Sequence, residues 1–145
     1  MNAKNFFNKE QKQQIVEAIR HAEKDTSGEI RLHIESKCKG EPLERAVKMF
    51  ADLKMHQTRL RNGTLIYLAV KDQKFAIFGD EGINTVVPDD FWEEVKEAMA
   101  EQFKKSAFAE GISDSIRQVG NKLKEFFPYQ DDDINELDDD ISIGN

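Results

Sequence analysis

The sequence predicts an α/β protein: a three-layer α/β/α sandwich around a central mixed sheet of about four strands. Three observations carry that expectation. The run Thr64 to Val70 is almost continuously apolar, as in a strand covered on both faces. Ile30, Leu32 and Ile34 alternate with Arg31, His33 and Glu35, the period-two signature of a strand. Four amphipathic stretches read as helices, and buried central strands with four helices require layers on both sides of the sheet.

The elements follow in order. From Gln11 to Lys24, the residues Ile15, Val16, Ala18, Ile19 and Ala22 recur at helical spacing, and Asp25-Thr26-Ser27-Gly28 supplies turn chemistry after them. The strand over Ile30 to Ile34 has one polar face, which points to an edge or partly exposed place. Lys37 to Pro42 reads as a loop, and Leu43, Ala46, Val47, Phe50 and Leu53 mark a second helix closed by Arg61-Asn62-Gly63. After Thr64 to Val70, the short link Lys71-Asp72-Gln73 leads to Phe75-Ala76-Ile77-Phe78, an antiparallel hairpin. Pro88 and the Asp89-Asp90 pair open a third helix carried by Phe91, Trp92, Val95, Met99 and Phe103. A fourth, with Phe108, Ile112, Ile116, Val119, Leu123 and Phe126, stops at Pro128. Three strands are clear, and Thr85 to Val87 is the expected place of a fourth.

With 145 residues, 39% of them hydrophobic and 13 aromatic, the chain has the size and apolar content of one folded domain. That domain is expected over residues 1–128, followed by an acidic tail over 129–145 that stays mobile unless something binds it. The tail holds Asp131, Asp132, Asp133, Glu136, Asp138, Asp139 and Asp140 and no Lys or Arg, so it accounts for the whole formal net charge of −7. A neutral body beside an acidic tail offers phosphate backbones nothing, which excludes nucleic-acid binding. The sequence shows no apolar signal core and no run long enough to span a membrane, so a cytoplasmic protein without membrane insertion is expected, as a monomer. The lone Cys38 excludes an internal disulfide and a cysteine-rich zinc site.

Between Lys74 and Lys96 there is no basic residue, while Asp80, Glu81, Asp89, Asp90, Glu93 and Glu94 all fall there. Phe78-Gly79-Asp80-Glu81-Gly82-Ile83 sets two carboxylates where a buried strand emerges, a usual place for ligands in α/β folds. Asp89 and Asp90 come back at the start of the next helix. Two like charges 4 Å apart repel by roughly 4 kcal/mol at an effective dielectric of about 20, so gathered carboxylates favour proton uptake or cation capture. A hard divalent ion suits them: Ca²⁺ takes ~6–8 oxygen ligands, and Mg²⁺ fits where waters are retained. Asp80, Glu81, Asp89 and Asp90 are therefore the candidate metal ligands. The plainer alternative is that Asp89 or Asp90 caps a helix, since Asp90 with Glu93 fits a capping box. The spacing is not that of an EF-hand.

Other constellations point to structure. Asp25-Thr26-Ser27-Gly28 has one residue too many for the aspartic-protease triplet. His21, His33 and His56 lack ligand spacing and are expected at the surface, and Cys38 reads as a plain thiol. No nucleophile elbow and no phosphate-cradling glycine loop with a lysine is present, and no catalytic residue is assigned.

Taken together, Thr26-Ser27-Gly28-Glu29-Ile30-Arg31, Arg61-Asn62-Gly63-Thr64-Leu65-Ile66-Tyr67, Phe75-Ala76-Ile77-Phe78-Gly79-Asp80-Glu81-Gly82-Ile83, then Trp92 and Gly111-Ile112, resemble the TPM domain family over most of residues 10–128. The resemblance implies an α/β/α sandwich and divalent-metal binding near the Gly-Asp-Glu-Gly loop, which maps onto Asp80 and Glu81, with Asp89 and Asp90 beside them. Plant members of the family are described as acid phosphatases, and others as accessory parts of membrane assemblies. This chain resembles the stand-alone bacterial form. The expected function is divalent-cation binding, Ca²⁺ first and Mg²⁺ second, in a regulatory or accessory role with an unidentified protein partner. The alternatives are metal-assisted phosphomonoester hydrolysis, making the chain a phosphatase, and a protein-interaction module with the tail as bait.

Overall fold

In the computed structural model, which describes residues 2–129 and 140–144, the chain forms six helices, one 3₁₀ turn and four strands. The short helix α1 spans Ala3–Phe6 and α2 spans Lys9–Glu23. Strand β1 is Glu29–Glu35, α3 Pro42–Asp52, β2 Gly63–Ala69 and β3 Lys74–Gly79. The short α4, Glu81–Asn84, leads to α5, Phe91–Lys104, and α6, Phe108–Phe126; β4 is Ser142–Ile143. The sheet order is β3-β2-β1-β4. β1 runs parallel to both neighbours, and β2 and β3 form the antiparallel hairpin, so the sheet is mixed as expected.

The alternation along β1 and β2 sorts residues onto two faces. Ile30, Leu32, Ile34, Ile66, Leu68 and Ile77 face the larger core, closed by Ile15 and Ile19 of α2, Val95 and Met99 of α5, and Ile112, Ile116 and Val119 of α6. Each such side chain contributes about 2 kcal/mol on leaving water. The other face is covered by α3, where Ala46 meets Tyr67, Ala69 and Ala76, and Phe50 meets Met55 and Leu65. The third layer is thus a single helix.

Three expectations need correction. Thr85 to Val87 forms a turn, and the fourth strand is Ser142–Ile143, at the far end of the acidic tail. Residues 130–139 of that tail lie outside the described residues. β1 is an interior strand rather than an edge, and its polar face is buried: Glu29, His33 and Glu35 are all shielded from solvent. His33 is accordingly no surface residue. Finally, Asp90 precedes α5 without a side-chain cap, while the capping box is at α2, where Asn8 and Gln11 satisfy each other's backbone amides.

The end of α6 is fastened beside the start of β1. Thr26 Oγ1 donates to the Leu123 carbonyl at 2.9 Å, Ser27 N to the Phe127 carbonyl at 3.0 Å, and Thr26 bridges to Pro128. The Phe127 carbonyl, past the end of α6, thereby gains partners, and the Leu123 carbonyl accepts a second bond beside that from the Phe127 amide.

Candidate functional site

β3 runs against β2, so its C-terminal end, where Asp80 emerges, stands beside Gly63 at the N-terminal end of β2: Asp80 N donates to the Gly63 carbonyl at 3.0 Å. Asp80 is buried and begins α4, its Oδ1 accepting from Glu81 N at 2.8 Å. Arg61, in left-handed backbone at φ 52°, closes a two-pronged grip on the same carboxylate. Its Nε donates to Oδ2 at 2.7 Å and its Nη2 to Oδ1 at 2.9 Å. Its Nη1 lies 3.2 Å from Glu81 Oε1. The hydrogen bond to Asp80 raises the Arg61 pKa further, which keeps it a fixed cation.

Two glycines make this closeness possible. A β-carbon at Gly82 would stand 2.2 Å from the Leu60 carbonyl oxygen and 2.6 Å from that of Arg61, so α4 lies directly on the backbone that carries the arginine. At Gly79 it would meet Trp92 Cζ2 at 2.2 Å. Trp92 Nε1 donates to Asn84 Oδ1 at 2.8 Å, and Asn84 Nδ2 to the Gly79 carbonyl at 2.9 Å. Arg61-Asn62-Gly63, Gly79 to Gly82 and Trp92 are far apart in sequence and form one knot.

Of the four expected metal ligands, the structure joins Asp80 and Glu81 through Arg61. Asp89 and Asp90 are exposed in the turn before α5. Among the described residues, no group of three His, Cys, Asp or Glu side chains is assembled to hold a metal ion. Asp80, whose two oxygens already accept from Arg61 and Glu81 N, fits a ligand role only if Arg61 leaves. Glu81, Asp89 and Asp90 present exposed carboxylates. Arg61 was in plain view in the sequence, but nineteen positions before Asp80 nothing marked it as the countercharge.

The opposite end of the sheet holds a second polar cluster. Glu35 is buried at the end of β1. It accepts from Arg45 Nε of α3 at 3.0 Å, from Arg45 Nη2, and from the Tyr67 hydroxyl at 2.6 Å. Burial pushes the Glu35 carboxyl up, but the hydrogen bonds from Arg45 and Tyr67, with His33 close by, outweigh it and hold the group at about 2. Burial and the bond to Glu35 push the Tyr67 phenol well up. Burial lowers the His33 pKa, against an upward pull from Glu35. Cys38 is buried nearby, its amide donating to Asp72 Oδ2 at 2.7 Å.

The family model of the TPM domain matches residues 1–122. The chain belongs to the TPM domain family. Solved structures agree. This TPM domain is similar, at 48% identity and TM-score 0.90 over 97% of both chains, to the BA42 protein of the psychrophilic bacterium Bizionia argentinensis, solved by NMR. It shares its fold with the N-terminal domain of a P. gingivalis protein at 17% identity and TM-score 0.69, over 87% of this chain and 83% of that one. The N-terminal domain of cg2496 from Corynebacterium glutamicum aligns at 14% identity and TM-score 0.65, over 81% and 74%. No curated protein matches the sequence. Among the described residues no helix is long and apolar enough to cross a membrane.

Proposed function

We propose that this TPM domain binds a divalent cation, Ca²⁺ in preference to Mg²⁺, at the loop from Gly79 to Asp90, in a non-catalytic accessory role beside a protein partner. The observation that supports this reading is a charge imbalance around α4. Arg61 supplies one positive charge to both Asp80 and Glu81, while Asp89 and Asp90, and Glu93 and Glu94 of the next helix, are exposed along with Glu81. Exposed carboxylates that a loop can bring together lower their mutual repulsion by sharing a cation. Asp80 then acts through its grip on Arg61 and Glu81 N, setting the direction of Glu81, and the ion draws Glu81, Asp89 and Asp90 together with carbonyl and water oxygens. A site gathered by its ion in this way belongs to the weak range of calcium sites, with a dissociation constant of about 10⁻⁴–10⁻³ M.

Titration of metal-free protein with Ca²⁺ and then Mg²⁺, followed by the amide resonances of Gly79 to Asp90, tests the reading. Saturable shifts in that loop are expected, with a raised melting temperature by mass action, and both reduced in Glu81→Gln. Resonances that stay in place would overturn it. The phosphatase reading draws no support from Arg61, whose guanidinium is committed to Asp80, and no hydrolysis of p-nitrophenyl phosphate above background is expected with or without metal.

A further inference from the structure

β4 is only two residues long, and it covers a polar seat. Ser142 Oγ lies 2.8 Å from His33 Nδ1, and Gly144 N donates to the Ile34 carbonyl at 2.8 Å. A β-carbon on Gly144 would stand 3.2 Å from His33 Nε2 and 3.1 Å from Glu35 Cγ, so backbone lies directly on both side chains. On the strand's other side, Ile141 and Ile143 line a shallow depression with Val16 and Lys12 of α2. Ser142 to Gly144 border a groove of about 690 Å³ edged by Lys37, Lys39 and Arg45.

We infer that the outer edge of β1 is a docking edge, which the chain's own segment Ile141–Gly144 occupies near neutral pH and vacates when His33 takes up a proton. His33 is 2% exposed, and its Nε2 makes no hydrogen bond, standing 3.2 Å from Glu35 Oε1 but out of line for one. The charged groups around it are Glu35 and Arg31 on β1 and Arg45 from α3; Tyr67 stacks on it from β2, and β4 brings only a hydroxyl and backbone. Glu35 is already gripped by Arg45 and Tyr67, and its pull on an imidazolium is outweighed by burial and opposed by both arginines.

A cation in that position needs water. Of the elements that shut water out, β1, β2 and α3 carry the fold, whereas β4 is held by a few bonds and by the half-buried Ile141 beside it, so lifting β4 is the least costly way to hydrate the ring. The direction follows from burial, which disfavours the charged ring. The closed state is fully favoured above the ordinary histidine value of 6.5 and weakens as the pH falls below it.

The full chain, isotope-labelled, tests this between pH 8 and 5. The exchange protection of the Gly144 amide, corrected for intrinsic rate, is expected to fall at least about tenfold across that range, and to stay level in His33→Gln, which keeps a partner for Ser142. Gly144→Val supplies an independent arm. It wedges the segment off β1 without touching the core, and the His33 ring is expected to titrate nearer 6.5 than in the parent. Protection that does not fall, a fall of the same size in His33→Gln, or a His33 titration unmoved by Gly144→Val would each overturn the inference.

Discussion

The two ends of the sheet hold the same device in different settings. At one end Arg45 grips Glu35, and at the other Arg61 grips Asp80, each through Nε and Nη2. Glu35 is buried and has Tyr67, His33 and the backbone of Gly144 against it. Around Asp80 the second carboxylate, Glu81, is 71% exposed on its side chain, and Arg61 itself is 41% exposed. An ion pair whose neighbours are buried protein groups stabilises or destabilises the fold as a unit, whereas one with a second, exposed carboxylate beside it leaves room for a foreign cation to compete. Arginine–carboxylate geometry alone therefore does not tell a structural pair from a binding site; what stands outside the pair does.

The contrast is broken most severely by Arg45→Met. It leaves the Glu35 carboxylate buried beside Tyr67, with an expected loss of about 3 kcal/mol; Arg45 is one-third exposed, so the loss sits at the low end for a buried pair. Denaturant melts measure it. The same variant tests the pH dependence. Glu35 is held at about 2 in the folded protein against an ordinary 4.5, so its contribution is complete above about 4.5 and is lost as the pH falls toward 2. The parent's stability is expected to decline across that window, and the Arg45→Met decline to be shallower.

Next in size is Gly82→Ala, whose β-carbon would press on the carbonyls of Leu60 and Arg61. A cost of about 2 kcal/mol is expected from this overpacking, together with altered resonances at Arg61 and Asp80. The smallest effect sharpens the functional half of the comparison. Arg61→Gln removes the competing positive charge from the open end and is expected to tighten Ca²⁺ binding several-fold, as befits one screened unit charge; calorimetric titration reads it. The equivalent change at Arg45 is expected to leave that affinity unchanged.

Much of the architecture was legible because it follows from periodicity. The amphipathic spacing of Ile15 and Ile19, or of Ile112, Ile116 and Val119, has one physical reading, and the apolar run from Leu65 to Val70 demands cover on both faces. The polar face of β1 was visible as Arg31, His33 and Glu35 but points outward under any rule that weighs residues one at a time. Its burial depends on Arg45 and Tyr67, which reach Glu35 from two other elements. β4 was hidden for a related reason: two residues are too few to show a period, and the acidic stretch before them dominates the composition. At the candidate site, the carboxylates and the glycines were legible, and the placement of Arg61 over them was not, because charge neutralisation is a property of space rather than of sequence order.

The bridge between Thr26 and Pro128 and the pairing of His33 with Ser142 moor both ends of the acidic stretch to one continuous run of backbone, the approach to β1 and β1 itself. Because both moorings fall on that one run, whatever shifts β1 shifts the two together, and the distance between them is set by the strand.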